Sequence, residues 1–416
     1  MKPLATLADL VGRLPPERGI VLHSAAAHPT GLARRLAEEA QALRGRRVYT
    51  LMPLGPLPYA GPPARDALEI ATFLPGAGLR AALDAGRVAP LRQPLSTVPA
   101  SFARGEYPVG AVLLRVAPPD ASGRVSLGVS VDYMLAAIAA ATFVIAEIDP
   151  RMPVVQGDAW IPASRIDAWV DAVDAPHAVQ PQQGDAVEEA IAAHVASLLE
   201  DGAVLQLGVG SLPDQVLAKV GHLQHLGLHT GIVADSARPL IERGIVDNST
   251  KEVFAGVSVA TMALGTAEFY AFLDRNAAVE LHPCAVTHAG DVLRGMARLC
   301  AINSALQVDL NGRVNAEWAG TRRIAVPGGL TDFARAASSL PRGRSIIVLR
   351  STDRAGGSTI VPSLRDEVPA SLEPHEVDFF VSEHGVAAVR GCTPGERRKA
   401  LAAIAHPAHR DALART

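Results

Sequence analysis

Glu317 lies between a strand-like segment and a glycine-rich turn, within the stretch INSALQVDLNGRVNAEWAGTRRIAVPGGLTDF from Ile302 to Phe333. A carboxylate in that setting suits covalent catalysis: it attacks a carbonyl carbon while backbone N–H groups of the turn hold the oxyanion. Gly328 and Gly329 are the expected donors, because Pro327-Gly328-Gly329 interrupts regular structure and lets backbone approach a ligand closely. The elements that must position Glu317 are legible on its N-terminal side. Ala305–Val308 reads as a short strand and Asn311-Gly312 as a hairpin turn. Arg313-Val314-Asn315 then restarts an extended segment that ends at Glu317, before Gly320.

A second group that could meet a ligand is Gly208-Val209-Gly210-Ser211-Leu212-Pro213, which follows the strand-like Ala203–Leu207 and precedes a helix from Asp214. Such a turn presents N–H groups to a phosphate. A dinucleotide fingerprint needs a third glycine where Pro213 stands, which weighs against a nucleotide-dependent oxidoreductase. Asp132 reads as a helix N-cap close to Ser130. His229 reads as a hydrogen-bonded structural histidine, with direct chemistry as the alternative. The 13 histidines are dispersed, and the pairs His222/His225 and His406/His409 lack a third ligand at a defined spacing, so no metal site is expected. No GxSxG elbow supports a serine hydrolase.

The chain carries a net charge of −3, which argues for neither a nucleic-acid nor an anionic-membrane partner. At 416 residues, 49% of them hydrophobic but only 4% aromatic, it should build two domains with aliphatic cores. Cys284, Cys300 and Cys392 form no CxxC pair and fit a reducing compartment. The N-terminal segment is amphipathic and broken by Pro15-Pro16, unlike a signal peptide. Met134–Ile148 is apolar but too short to span a bilayer and reads as a buried helix and strand. A soluble cytoplasmic protein is expected.

Strand-like Gly19–Leu22, Arg47–Leu54, Ala111–Val116 and Phe143–Ile148 alternate with helical Gly31–Leu43 and Ala77–Ala85. That alternation predicts parallel βαβ units and a sheet covered on both faces. Ala175–Asp185 (APHAVQPQQGD) reads as a linker, giving an N-terminal α/β domain over 1–185 and a C-terminal α/β domain over 186–416 that carries Glu317. In the second half Ala186–Leu199 and Gly395–Ala405 read as helices, and Ser345–Leu349 and Val377–Val381 as strands.

The wording around Glu317 resembles the acetyl-CoA hydrolase/transferase family, the class I CoA-transferases. That family has a strand of the form S-I-N-S-A-x-E-V-D-L-x-G-Q-V, followed by S-E-x-x-G with the Glu as nucleophile. Ile302, Asn303, Ser304, Ala305, Val308, Asp309, Leu310, Gly312, Val314, Glu317 and Gly320 match it. The family's G-G-Q-x-D-F turn is met by Gly328, Gly329, Asp332 and Phe333. A block of the form V-S-P-P-D-x-x-G-x-x-S-L-G-x-S-V-D-Y is met almost throughout from Val116 to Tyr133, with Ser130 and Asp132 as cleft-lining candidates. His229 and Asp235 match H-(S/T)-x-x-x-x-D and join them as cleft candidates.

The resemblance implies two α/β domains with an interdomain active-site cleft, a homodimer, and coenzyme A or an acyl-CoA as substrate without a permanently bound cofactor. It places Gly208–Pro213 at the CoA cleft. It implies ping-pong transfer of CoA between a short-chain acyl-CoA, such as acetyl-CoA, and a carboxylic acid through a glutamyl-CoA thioester on Glu317. The alternatives are acyl-CoA hydrolysis and a silent acyl-CoA-binding protein. The chain departs from the family at Leu330, where a glutamine is usual, at Gly231-Ile232, at Ser358–Pro362, and at His23–Pro29, which replaces a glycine-rich turn.

Overall fold

The structure, a computed structural model, describes residues 2–415 and contains two compact units. The first holds the chain up to Val179 together with Ala260–Val286 and Ile324–Gly328. The second holds Gln180–Val259, Thr287–Arg323 and the chain from Gly329 on. No helix among the described residues is long and apolar enough to cross a membrane.

The first unit is built on eight strands: β1 (Lys2–Pro3), β2 (Gly19–Leu22), β3 (Arg47–Leu51), β4 (Glu69–Leu74), β5 (Val88–Pro90), β6 (Val109–Val116), β7 (Phe143–Ile148) and β8 (Ala168–Asp171). They form one sheet in the order β1-β8-β7-β6-β2-β3-β4-β5, parallel throughout. The central strand β6, VGAVLLRV, is buried at every position, as an apolar strand covered on both faces must be. Helix α1 (Thr30–Glu38) turns Leu32, Ala33 and Leu36 inward, where they pack with Leu7, Ile20, Leu22, Val48 and Ile145. Full burial of each such leucine stabilises by about 1.5–3 kcal/mol. After β2 the chain passes through α1 to β3 on one side, whereas β6 lies on the other side of β2. Parallel sheets gather ligands outside the carboxyl ends of strands at such a reversal.

The second unit repeats this logic. Its main sheet uses β9 (Val204–Leu207), β10 (Gly227–Leu228), β11 (Leu299–Ser304), β14 (Arg344–Val348), β16 (Phe379–Ser382) and β17 (Gly385–Ala388), in the order β10-β9-β11-β14-β16-β17. Only the β16–β17 edge pair is antiparallel. Helix α2 (Ala186–Ala196) opens with Asp185 accepting from the Glu188 amide. Helix α3 (Ser211–Lys219) follows β9, and helix α4 (Leu330–Ser339) precedes β14. The inner face of α4 packs Phe333, Ala336 and Ala337 against Val204, Leu299 and Ala301. A satellite sheet carries β12 (Gln307–Asp309) between antiparallel β13 (Val314–Asn315) and parallel β15 (Ile360–Val361).

The strand expected over Ala305–Val308 is displaced. Ala305 and Leu306 lie between β11 and β12. The Ala305 amide still reaches the Val348 carbonyl of the main sheet, while the Leu306 amide already reaches the Asn315 carbonyl of the satellite sheet. The chain changes sheets at this point, and the local apolar pattern does not encode that.

Candidate active site

The satellite sheet presents Glu317. Asp309 shapes the β12–β13 turn: its Oδ1 accepts from the amides of Asn311 and Arg313, both at 3.0 Å, and its Oδ2 pairs with Arg313 Nε at 2.8 Å. Gly312 occupies φ +92°, a region that disfavours any side chain, which is why Asn-Gly works here. Asn315 then closes an Asx turn. Its Oδ1 accepts from the amides of Glu317 at 3.1 Å and Trp318 at 2.9 Å, while its Nδ2 donates to the Trp318 carbonyl at 2.7 Å. Beyond Glu317 a tight hairpin pairs Trp318 with Arg323 and Ala319 with Arg322, with Gly320 at φ +63° in the turn.

Glu317 is fully buried. Ser371 Oγ donates to Glu317 Oε1 at 3.0 Å and accepts from the Ala316 amide at 3.1 Å. The Ser371 segment is itself fixed to β13, since the Ser371 amide donates to the Val314 carbonyl and the Val314 amide to the Leu372 carbonyl. Backbone and side chain of Glu317 are thus fixed from two sides. Asn315→Ala leaves the Glu317 and Trp318 amides without their acceptor. It is expected to cost about 1–3 kcal/mol of stability and roughly 10–100-fold in kcat by releasing the carboxylate from its geometry. Urea unfolding together with steady-state kinetics would check both.

Gly208–Pro213 forms the expected strand–turn–helix. Gly210, at φ +126°, is the N-cap of α3, whose first turn holds Ser211, Leu212 and Pro213. Val209 is exposed, and a Cβ added at Gly208 or Gly210 would meet open space. The amides of Ser211 and Leu212 are first-turn donors without an intrahelical acceptor. β9 and β11 are hydrogen-bonded neighbours, paired up to Leu207 and Ile302, and Gln206 and Asn303 bond side chain to side chain at 2.9 Å. The carboxyl ends of these two adjacent strands lead, respectively, into the glycine turn and into the Glu317 hairpin. β9 is also the switch strand of this sheet, with β10 on one side and β11 on the other.

Gly328 takes a left-handed φ of +55°, and Gly329 is the N-cap of α4. A side chain at Gly329 would run into His288 Nε2, 2.6 Å from the ideal Cβ, so the backbone there packs directly on that ring. His288 is fully buried, and burial pushes its pKa down to about 3, so it is neutral.

His229 is buried. Its Nε2 pairs with the Thr287 carbonyl at 2.9 Å and its amide donates to the Leu205 carbonyl, so it ties β9 to the chain beyond β10. Asp235 opens a short 3₁₀ turn and contributes, after burial, to raising the pKa of Asp214 on α3. In the first unit Ser130 and Asp132 are both fully buried and bonded to each other, Ser130 Oγ donating to Asp132 Oδ2 at 2.9 Å. Asp132 stands at φ +21°, and burial raises its carboxyl to about 6. The Ser130 carbonyl meets His23 Nε2 at 2.7 Å, so this pair braces the loop after β2. Two residues that hold Glu317 were not singled out from sequence. Asn315 carried a usable signal, an Asx residue two positions before the carboxylate. Ser371, 54 residues away, carried none.

The comparisons agree with this architecture. The model of the acetyl-CoA hydrolase/transferase N-terminal domain matches residues 12–181, and that of the C-terminal domain matches residues 265–416. The chain is 33% identical over 411 residues to a 4-hydroxybutyrate coenzyme A transferase of Clostridium kluyveri, covering 99% of this chain and 96% of that protein. It is 32% identical to a succinyl-CoA:acetate/propanoyl-CoA:succinate CoA transferase of Fasciola hepatica, covering 97% and 85%. The crystal structure of RipA from Yersinia pestis superposes with a TM-score of 0.92 at 28% identity, covering 99% of this chain and 96% of that one. With both domain models matched in order and a full-length relative above 30% identity, the chain belongs to the acetyl-CoA hydrolase/transferase family.

Proposed function

We propose that the protein is a CoA-transferase that moves CoA between a short-chain acyl-CoA and a carboxylic acid, with Glu317 as the nucleophile. The observation that carries this reading is the buried Glu317 carboxylate, held through Ser371 Oγ and through the Asx turn of Asn315. One carboxylate oxygen attacks the thioester carbonyl, the C–S bond breaks, and an acyl–glutamyl anhydride and CoA thiolate form. The thiolate then attacks the Glu317 carbonyl carbon, the anhydride C–O bond breaks, and the acid leaves as its carboxylate. Glu317 now carries CoA as a thioester. An incoming carboxylate reverses both steps. No net proton is consumed, which suits a site that holds its carboxylate away from water.

Each step places negative charge on a carbonyl oxygen. The amides of Gly329 and the first turn of α4 are the proposed donors, since the first amides of a helix have no internal acceptor. The open turn at Gly208–Gly210 and the first-turn amides of α3 are proposed to meet the CoA phosphates. Binding of that remote group would supply energy used at the thioester.

Incubation of acetyl-CoA with deuterated propionate tests this reading. Labelled propionyl-CoA should appear with little release of free CoA. Free CoA without exchange would instead assign hydrolysis, in which water resolves the acyl–enzyme; the family takes its name from both reactions. CoA binding with neither product would assign a silent binding protein.

A further inference from the structure

The first unit buries a charged group that the proposed chemistry does not use. Arg115 on β6 is fully buried within an otherwise apolar strand. Its register partner on β7 is Glu147, so both side chains leave the same face of the sheet. Arg115 Nε donates to Asp149 Oδ2 at 2.9 Å. Asp149 is shared, its Oδ1 accepting from Arg151 Nε at 2.8 Å, so one negative charge meets two guanidiniums. Both Nη atoms of Arg115 lack a hydrogen-bond partner, as do Glu147 Oε2 and His28 Nδ1. Four buried N–H donors on a cation are costly to leave unmade, so the Nη edge calls for an acceptor.

The surroundings limit what that acceptor is. The amide of Leu32, at the start of α1, donates to Glu147 Oε1 at 2.5 Å, and the Gly31 amide adds to it. From the loop after β2, His23 faces the Arg115 backbone, its Nδ1 accepting from the Arg115 amide at 3.2 Å, and His28 stands within electrostatic range. His28 Nε2 meets the Tyr59 hydroxyl at 3.3 Å; with Tyr59 donating, the ring proton sits on Nδ1. His177, which is influenced by Asp174, closes another side, with its Nε2 3.0 Å from Thr30 Oγ1. Burial lowers the pKa of His23 to about 4 and of His28 to about 3, so both rings are neutral donors or acceptors. Glu147 is the exception: burial raises it to about 7, against the pull of the α1 amides and of Arg115.

We propose that the unpartnered Nη edge of Arg115, near the carboxyl ends of β2, β6 and β7, is a binding site for a small carboxylate gripped by its two Nη atoms. The planar guanidinium edge matches a carboxylate in a bidentate fork. The ligand charge adds to that of Asp149, which the buried Arg115 shares with the half-exposed Arg151. Glu147 must then be protonated, because its ionised form would oppose the ligand. Uptake of the anion is therefore linked to uptake of one proton.

Formate is the probe, titrated at constant ionic strength with chloride as control and followed by 13C NMR of labelled formate on the full chain. Saturable formate binding is expected, weakening about tenfold from pH 6 to pH 8 as Glu147 ionises around pH 7. Glu147→Gln should bind at pH 8 about tenfold more tightly than the parent chain and with no pH dependence. Arg115→Lys, which keeps the charge but loses the fork, should lose binding by at least tenfold. If that variant does not fold, the Glu147→Gln comparison decides. No saturable binding, pH-independent binding by the parent chain, or unchanged binding by Glu147→Gln at pH 8 would overturn the proposal. Should bound formate compete with the acceptor acid in transfer, the site is the acid's own; should it not, the carboxylate is a separate ligand. The binding titration does not depend on CoA transfer, so it stands or falls apart from the role of Glu317.

Discussion

Glu317→Gln is expected to abolish CoA transfer, by roughly 10³-fold or more, while leaving the fold intact. The amide is nearly isosteric, and its carbonyl oxygen can still accept from Ser371 Oγ, 3.0 Å from Oε1 in the parent chain. What is lost is the nucleophile, since an amide oxygen does not form the anhydride and does not leave again. Glu317→Asp separates position from chemistry. It keeps a carboxylate but draws it back by one methylene, and a displacement on the order of 1 Å is expected to cost about 10²-fold. The order Glu ≫ Asp > Gln in acyl-CoA exchange, with unchanged circular dichroism, checks the expectation. Undiminished turnover by Glu317→Gln would remove the residue from the chemistry.

The second large effect lies in the first unit. Asp149→Ala is expected to destabilise by about 3–5 kcal/mol, because it leaves a fully buried guanidinium without its counter-charge. The same change frees Arg151, whose Nε also rests on Asp149, but Arg151 is half exposed and water replaces the partner at little cost. The loss should therefore run through Arg115. Removing both ends of the pair with apolar residues, Arg115→Met with Asp149→Leu, is expected to recover most of the stability, giving a large coupling energy in a double-mutant cycle. Two of the three tryptophans, Trp160 and Trp169, belong to the first unit and Trp318 to the second, so urea unfolding followed by tryptophan fluorescence reports mainly on the first. A double variant as unstable as Asp149→Ala would show that the pair is not where the energy resides.

Arg115 also shows what the sequence conceals. VGAVLLRV reads as an apolar strand, and the strands Gly19–Leu22 and Phe143–Ile148 lie where their apolar runs end. Continuous apolar runs between turn residues mark buried parallel strands well, because cover on both faces leaves no alternation to misread. The charge inside β6 gives no local hint of a partner, since Asp149 arrives just beyond the neighbouring strand. The same limit applies around Glu317. Asn-Gly announced a turn, and Gly312 takes the backbone angle that requires it. The switch from the main sheet to the satellite sheet at Ala305-Leu306 depends on competition between the Val348 and Asn315 carbonyls, which only the folded chain brings near. Ser371 belongs to the same class, since no spacing rule joins it to a carboxylate 54 residues earlier. Helix α4 was legible in principle: Phe333, Ala336, Ala337 and Leu340 keep a helical period, but Pro327-Gly328-Gly329 just before them reads first as a break.

The most direct test of the central claim is mass spectrometry of the protein after incubation with acetyl-CoA. Tryptic mapping follows, with a parallel sample reduced by borohydride to trap the thioester. A CoA adduct on the peptide carrying Glu317, or the corresponding reduced side chain at that position, is the predicted result. Rapid CoA exchange with no modification at Glu317, or with the adduct on another residue, would contradict the account.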